Sequence, residues 1–339
     1  MNAGAAQTRR DVSVIVTRLT DYRPDKVAEA VARQFDLAGG LKRFVARGDN
    51  VLVKPNFIVP RPRASAAQTD PAVIVAVAAI LKDFGAKPFI GDSPAWGGIG
   101  ACLRSLELDE PLRRLGIPVR QLDRPRRIRI DGSLVSISRV AMEADKIINL
   151  PKFKAHQQLG ASFAVKNMFG CVCGKHKAFW HWARGRSVKD FCTMIIEIYK
   201  LVAPAYSIID GVVAMQGQGP INGHARPLGY LIGGADPVAC EMICCDIINL
   251  PPEQLPIIRT ARDLDFGCSD TARIKVVGDD YRGSRCNDFQ FAQQTPLEFT
   301  LARVCRSVCR QLAFTARSMF VRDTRQSPSE DERSSGKEI

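Results

Sequence analysis

Asn50-Val51-Leu52-Val53 and, after a loop, Thr69-Asp70-Pro71-Ala72-Val73-Ile74-Val75-Ala76-Val77-Ala78-Ala79-Ile80-Leu81-Lys82-Asp83-Phe84-Gly85 are the two pieces of chain that decide the fold. The first is short, apolar and β-branched, as a strand covered on both faces should be. In the second, Asp70 is placed to cap a helix over 71–84, Pro71 suits its first position, and Gly85 ends it. The alternation recurs along the chain. Strands are expected at 12–16, 87–90, 146–150, 207–209 and 273–277, and helices at 24–35 and at 237–248, the latter opened by Asp236-Pro237. Strands alternating with capped helices predict an α/β fold, a mainly parallel sheet with flanking helices.

Composition sets the outer bounds. The 339 residues are 46% hydrophobic, which suffices for a core and excludes a disordered chain. No run approaches ~18 consecutive apolar residues, so no membrane-spanning helix is expected. Eleven cysteines, an odd number at low density, point to a reducing compartment. Thr8-Arg9-Arg10 looks like part of a twin-arginine signal, but the apolar run after it is strand-sized, and a cytoplasmic protein is expected.

The expected organisation is a flexible N-terminus over 1–10, a two-lobed module over 11–290 with its lobes meeting near 150, and a basic amphipathic helix over 297–325. A disordered tail over 326–339 follows. In the helical segment apolar residues recur at 301, 304, 305, 308, 309 and 312 while Arg303, Arg306, Arg310 and Arg317 fall largely off that stripe. Such a helix either packs on the α/β body or meets an acidic partner or an anionic membrane surface, here the inner face of the membrane. Nucleic acid is not an expected partner despite the net charge of +13. Aromatic residues are only 7%, no reader motif is present, and the basic residues are scattered.

The chemistry concentrates after Asn149. Lys152, Lys154, Lys166, Lys175 and Lys177, with His156, His176 and His181, fall in a stretch that has no acid before Asp190. Such a run is either a solvated face or a surface for an anionic small molecule, a phosphate or carboxylate. Lys166 and Asn167 lie within the apolar run Phe163-Ala-Val-Lys-Asn-Met-Phe169, where a lysine must reach solvent or hold a partner. His156 and His181 suit acid and base roles or metal ligation. Cys171 and Cys173 are spaced Cys-x-Cys with no second pair at metal-site spacing, so an iron–sulfur cluster or structural zinc in this chain is not expected. Asp210-Gly211, with Gly217 and Gly219, reads as a strand end entering a Gly-rich loop, either a close approach to a ligand or a long turn. Asp210 would accept a hydrogen bond or coordinate a cation.

In order, Val51-Leu-Val-Lys54-Pro55-Asn56, Thr69-Asp70-Pro71, Gly91-Asp92-Ser93, Leu150-Pro151-Lys152 with Lys154 and His156, Ala164-Val-Lys166-Asn167-Met-Phe-Gly170, Asp210-Gly211 with Gly217-x-Gly219-Pro220, and Asp236-Pro237-Val-Ala resemble the family known as domain of unknown function 362. Members are often joined to ferredoxin-like modules with four-cysteine clusters, so the resemblance implies a ferredoxin-like redox partner; this chain carries no such module. It departs from the family at Gln216, where a glutamate is usual, and at Glu241, where an aspartate is usual. The spacing His156, Lys166, His181 is also similar to that of nickel-pincer lactate racemases, which implies Lys166 as the anchor of an organic cofactor and His181 as a metal ligand. Together these readings give an enzyme of redox or proton-transfer type. Lys166 anchors a cofactor or carboxylate, His156 and His181 move protons, and Lys54, Asn56, Lys152, Lys154, Asn167, Asp210, Gly217 and Gly219 bind the ligand. The rival reading is a non-catalytic protein that delivers a cofactor or docks a redox partner at a membrane.

Overall fold

The computed structural model describes residues 11–173 and 187–295. The expected N-terminal segment 1–10, the basic helix 297–325, the tail, and Lys175, His176, Lys177 and His181 lie outside them. The chain divides into two compact units, Met1–Glu298 and Phe299–Ile339, and every described residue belongs to the first.

That unit is built on a ten-stranded sheet. Its strands are β1 (Val12–Arg18), β2 (Asn50–Pro55), β3 (Lys87–Asp92), β4 (Val119–Gln121), β7 (Lys146–Leu150), β8 (Lys152–His156), β9 (Gly160–Ser162), β10 (Tyr206–Gln218), β11 (Asn222–Gly234) and β12 (Ile274–Gly278). A separate hairpin pairs β5 (Pro125–Ile130) with β6 (Ser133–Ser138). The order across the large sheet is β12-β1-β11-β10-β7-β2-β3-β4, with β8 on β10 and β9 on β8. All neighbours run parallel except those of β11 and the β8–β9 pair. The α/β fold expected from the alternation is the fold observed.

Helices α1 (Pro24–Leu37) and α2 (Pro71–Phe84) precede α3 (Gly98–Ser105), α4 (Asp109–Arg114), α5 (Arg139–Met142), α6 (Ala164–Asn167), α7 (Val188–Val202), α8 (Pro237–Ile247) and α9 (Pro256–Asp263). Side-chain alternation in the strands explains the layering. Val51 and Val53 share a core with Val27, Val31 and Phe35 of α1 and Val73, Val77 and Leu81 of α2. Leu52, between them, faces the other way and packs with Phe191, Ile195 and Ile198 of α7. Each such side chain, fully buried, contributes about 1.5–3 kcal/mol, which is why the strands read as unbroken apolar runs. Asp70 caps α2 by accepting from Ala72 N at 2.9 Å, and Gly85 closes it at φ 95°.

One expectation fails. The chain does not enter a loop after Asp210: β10, thirteen residues long, runs on to Gln218 and folds back as β11. Gly211 sits where the ladder shifts register before Val213, and a Cβ there would lie 3.1 Å from the Tyr230 carbonyl oxygen. Its glycine marks an irregularity in a strand rather than the strand's end.

Candidate functional site

Parallel strands bring their carboxyl ends to one edge of the sheet, and there this chain buries lysines. Lys54 ends β2 and Asp92 ends β3; their side chains are 0% and 2% exposed and pair at 2.8 Å. The second Asp92 oxygen accepts from Phe57 N at 2.8 Å. Gly170 lies against this pair, since a Cβ there would fall 2.5 Å from Lys54 Nζ and 2.6 Å from Asp92 Oδ1.

The next strand is the unusual one. Lys-Phe-Lys-Ala-His is β8, and alternation sends Phe153 and Ala155 into an apolar core while Lys152, Lys154 and His156 share the opposite face. All five residues are buried. Lys152 pairs with Asp210 of β10 at 2.7 Å, both essentially unexposed. Asp210 also accepts from Tyr22 OH at 2.6 Å and from Asp70 N at 2.9 Å. Asp70 in turn takes both a 2.6 Å and a 2.9 Å bond from Arg63. Burial raises the Asp70 carboxyl against the pull of Arg63, and burial followed by the Asp210 charge holds the Tyr22 hydroxyl well above its ordinary range.

Lys154 has no carboxylate beside it among the described residues. Its Nζ donates to Asn56 Oδ1 and to the Ala67 carbonyl at 3.0 Å, both neutral oxygens. Burial first, then the charges of Lys166 and Lys152, bring its ammonium from 10.5 down to about 7. Asn56 Nδ2 donates to Asn167 Oδ1 at 2.9 Å, and Asn167 Nδ2 to Asn149 Oδ1 at 2.8 Å. The three asparagines thus hold the amine's seat rigid through fixed amide orientations. Lys166, on the short helix α6, lies over the rings of Phe169 at 4.5 Å and Phe191 at 5.9 Å. His156 is buried, and its Nδ1 accepts from Gln158 N at 3.1 Å, which leaves its proton on Nε2. Beside the cluster a cavity of about 420 Å³ is lined by Tyr22, Arg63, Gln68, Asp70 and Lys152 among others.

Of the residues expected from sequence, Lys152 pairs with Asp210, Lys154 bonds Asn56, which bonds Asn167, and Asn167 reaches the Lys54 carbonyl; His156 shares the lysine face of β8, and Lys166 acts on Lys154 through its charge. Gly217 and Gly219 are placed at the tip of the β10–β11 hairpin. A Cβ on Gly219 would lie 2.0 Å from Ala155 O, so the close approach there is to β8. Gln216 bonds His224 and the backbone N–H of Gln290. His181 lies outside the described residues, and among those described no three His, Cys, Asp or Glu side chains converge as a metal requires. Tyr22, Arg63 and Asn149 were not expected. Tyr22 has no local signal at all, being delivered by the turn before α1 from 188 residues away in sequence. Glu241, noted only as a departure, is buried, accepts from Val165 N at 2.8 Å, and is pushed up to about 8 by burial.

A family model described as domain of unknown function (DUF362) matches residues 51–246, from β2 nearly to the end of α8, and takes in every cluster residue except Tyr22. The chain belongs to the DUF362 family. A thylakoid-associated protein of Synechocystis sp. is 34% identical over 307 residues, 87% of this chain and 92% of that one. Among solved structures, the lactate racemase apoprotein from Thermoanaerobacterium thermosaccharolyticum is similar at TM-score 0.46 and 12% identity, over 73% of this chain. This DUF362 chain spans 59% of that structure's length.

Proposed function

We propose that the buried lysine cluster binds an anionic small molecule, a carboxylate or phosphate, and moves a proton on it. The observation that carries this reading is Lys154, an amine sealed among cations with only neutral oxygens bonded to it. Lys54, Lys152, Lys166 and Arg63 stand against Asp70, Asp92 and Asp210, a surplus of one positive charge, or two when Lys154 is protonated, that a bound anion would offset. The cavity beside Lys152 is the way in. Lys152 and Lys166 hold the anion. Lys154, near neutrality at pH 7, takes the proton, because a base works best with a pKa close to the working pH. His156 orients the ligand through its Nε2–H, and the proton that Lys154 takes is returned by Lys154 itself. Asn56, Asn149 and Asn167 position the amine, and Asp210 with Tyr22 positions Lys152.

Native mass spectrometry of the freshly purified full chain, with an absorbance spectrum and elemental analysis, tests this. The wild type is expected to carry an anion that Lys166→Ala and Lys152→Gln lose. A Lys166→Ala protein that keeps the ligand at wild-type occupancy contradicts the assignment. So does a bare wild-type mass together with no thermal shift on adding inorganic phosphate or oxalate.

A second reading, attachment to a membrane surface, is favoured by the name of the Synechocystis relative. Among the described residues no helix is long and apolar enough to cross a membrane; the attachment of this reading is peripheral and charge-assisted.

A further inference from the structure

The hairpin β5–β6 stands outside the ten-stranded sheet and carries a charge the cluster does not use. From Arg124 to Ser133 the sequence reads Arg-Pro-Arg-Arg-Ile-Arg-Ile-Asp-Gly-Ser, four arginines against Asp131 in the turn. Arg124, Arg126, Arg127 and Arg129 are exposed, and none of their side chains forms an ion pair or hydrogen bond within the described residues. Alternation sorts the hairpin into two faces. Ile128 and Ile130, paired with Val135 and Ser133, face the core with Ile137. Arg127 and Arg129 face away, and Leu134 stands directly across from Arg129 on that outer face. Leu134 is 52% exposed, more than any other large apolar side chain described.

We infer that this outer face docks the protein on an anionic lipid surface. An acidic protein partner would use the arginines but gives no reason for a leucine left in water beside them. A bilayer uses both: the guanidinium groups meet headgroup phosphates while the leucine enters the interfacial layer. The hairpin is small, its apolar face is already spent on the core, and its arginines outnumber its one acid, Asp131, all of which suit a surface contact rather than insertion. The inference rests on the membrane reading above and names the surface that makes the contact.

The test is co-sedimentation of the full chain with phosphatidylcholine vesicles, with and without phosphatidylglycerol. The wild type is expected to partition to the anionic vesicles only. Arg127→Glu/Arg129→Glu is expected to lower that partition at least roughly tenfold, and Arg127→Gln/Arg129→Gln to lower it by a smaller factor. Leu134→Ser is expected to weaken the binding that remains when salt screens the charges. Unchanged melting temperatures certify the folded state of each variant. Equal partition of the wild type and a folded charge-reversal variant overturns the hairpin's role while leaving membrane attachment to another segment. A wild type that sediments with neither vesicle overturns both, and binding only to an acidic protein column points to the partner rejected here.

Discussion

Lys152 and Asp210 show what a single buried pair demands. With both side chains essentially out of solvent, their attraction offsets a desolvation cost that neither could bear alone. Asp210→Ala is therefore expected to destabilise the fold by about 3–5 kcal/mol, read from denaturant unfolding, because it strands the Lys152 charge and the Tyr22 hydroxyl together. A loss below about 1 kcal/mol would mean that water reaches Lys152. Glu241 poses the opposite case. Burial lifts its carboxyl from 4.5 to about 8, so the folded state binds a proton that the unfolded state has released between those values. Stability then falls as pH rises through that window. Glu241→Gln keeps the acceptor for Val165 N and removes the titration. Its melting temperature relative to wild type is expected to climb from pH 5 to pH 8, by a stability difference on the order of a few kcal/mol; a constant offset would place the carboxyl in a wetter site.

At the scale of elements, β8 carries the site and was legible but unread. Lys152-Phe-Lys-Ala-His156 alternates with period two, the mark of a strand; its three basic letters hide that mark, because a charged face does not look like a buried one. The reading of α2 succeeded because its signals are local: an acceptor at Asp70, a proline that suits position one, a glycine that tolerates positive φ. The Gly-rich stretch after Asp210 misled because glycine serves both loops and strands that another backbone approaches, and only the partner tells which. Ala155 O is that partner for Gly219. Gly219→Ala is expected to push the hairpin tip off β8 and to lower the melting temperature by several degrees, as overpacking against backbone costs about 1–3 kcal/mol. Gly283→Ala, whose added Cβ would meet open space, is the matched control and should move it little.

For the whole molecule, the parallel sheet was legible because burial on both faces leaves continuous Val and Ile runs. The site was legible as its cations with Asn56, Asn167 and Asp210, but not as pairs. The sequence around Lys152 holds no acid, and the compensating Asp92 and Asp210 arrive from strands that the topology, not proximity in the chain, sets alongside. The same topology leaves Lys154 without such a partner among the described residues, and the joint field of Lys166, Lys152 and Lys54 falls on it. This is the property on which anion binding and proton transfer both depend. It has a consequence for stability: the folded state releases the Lys154 proton before the unfolded state does, so stability from this group rises between about pH 7 and 10.5. The direct measurement is an NMR titration of the full chain with lysine-selective 13C labelling, the Lys154 Cε signal being assigned by its loss in Lys154→Met. A midpoint near 7 is expected; a midpoint near 10, that of an ordinary solvated lysine, would contradict a Lys154 sealed among cations.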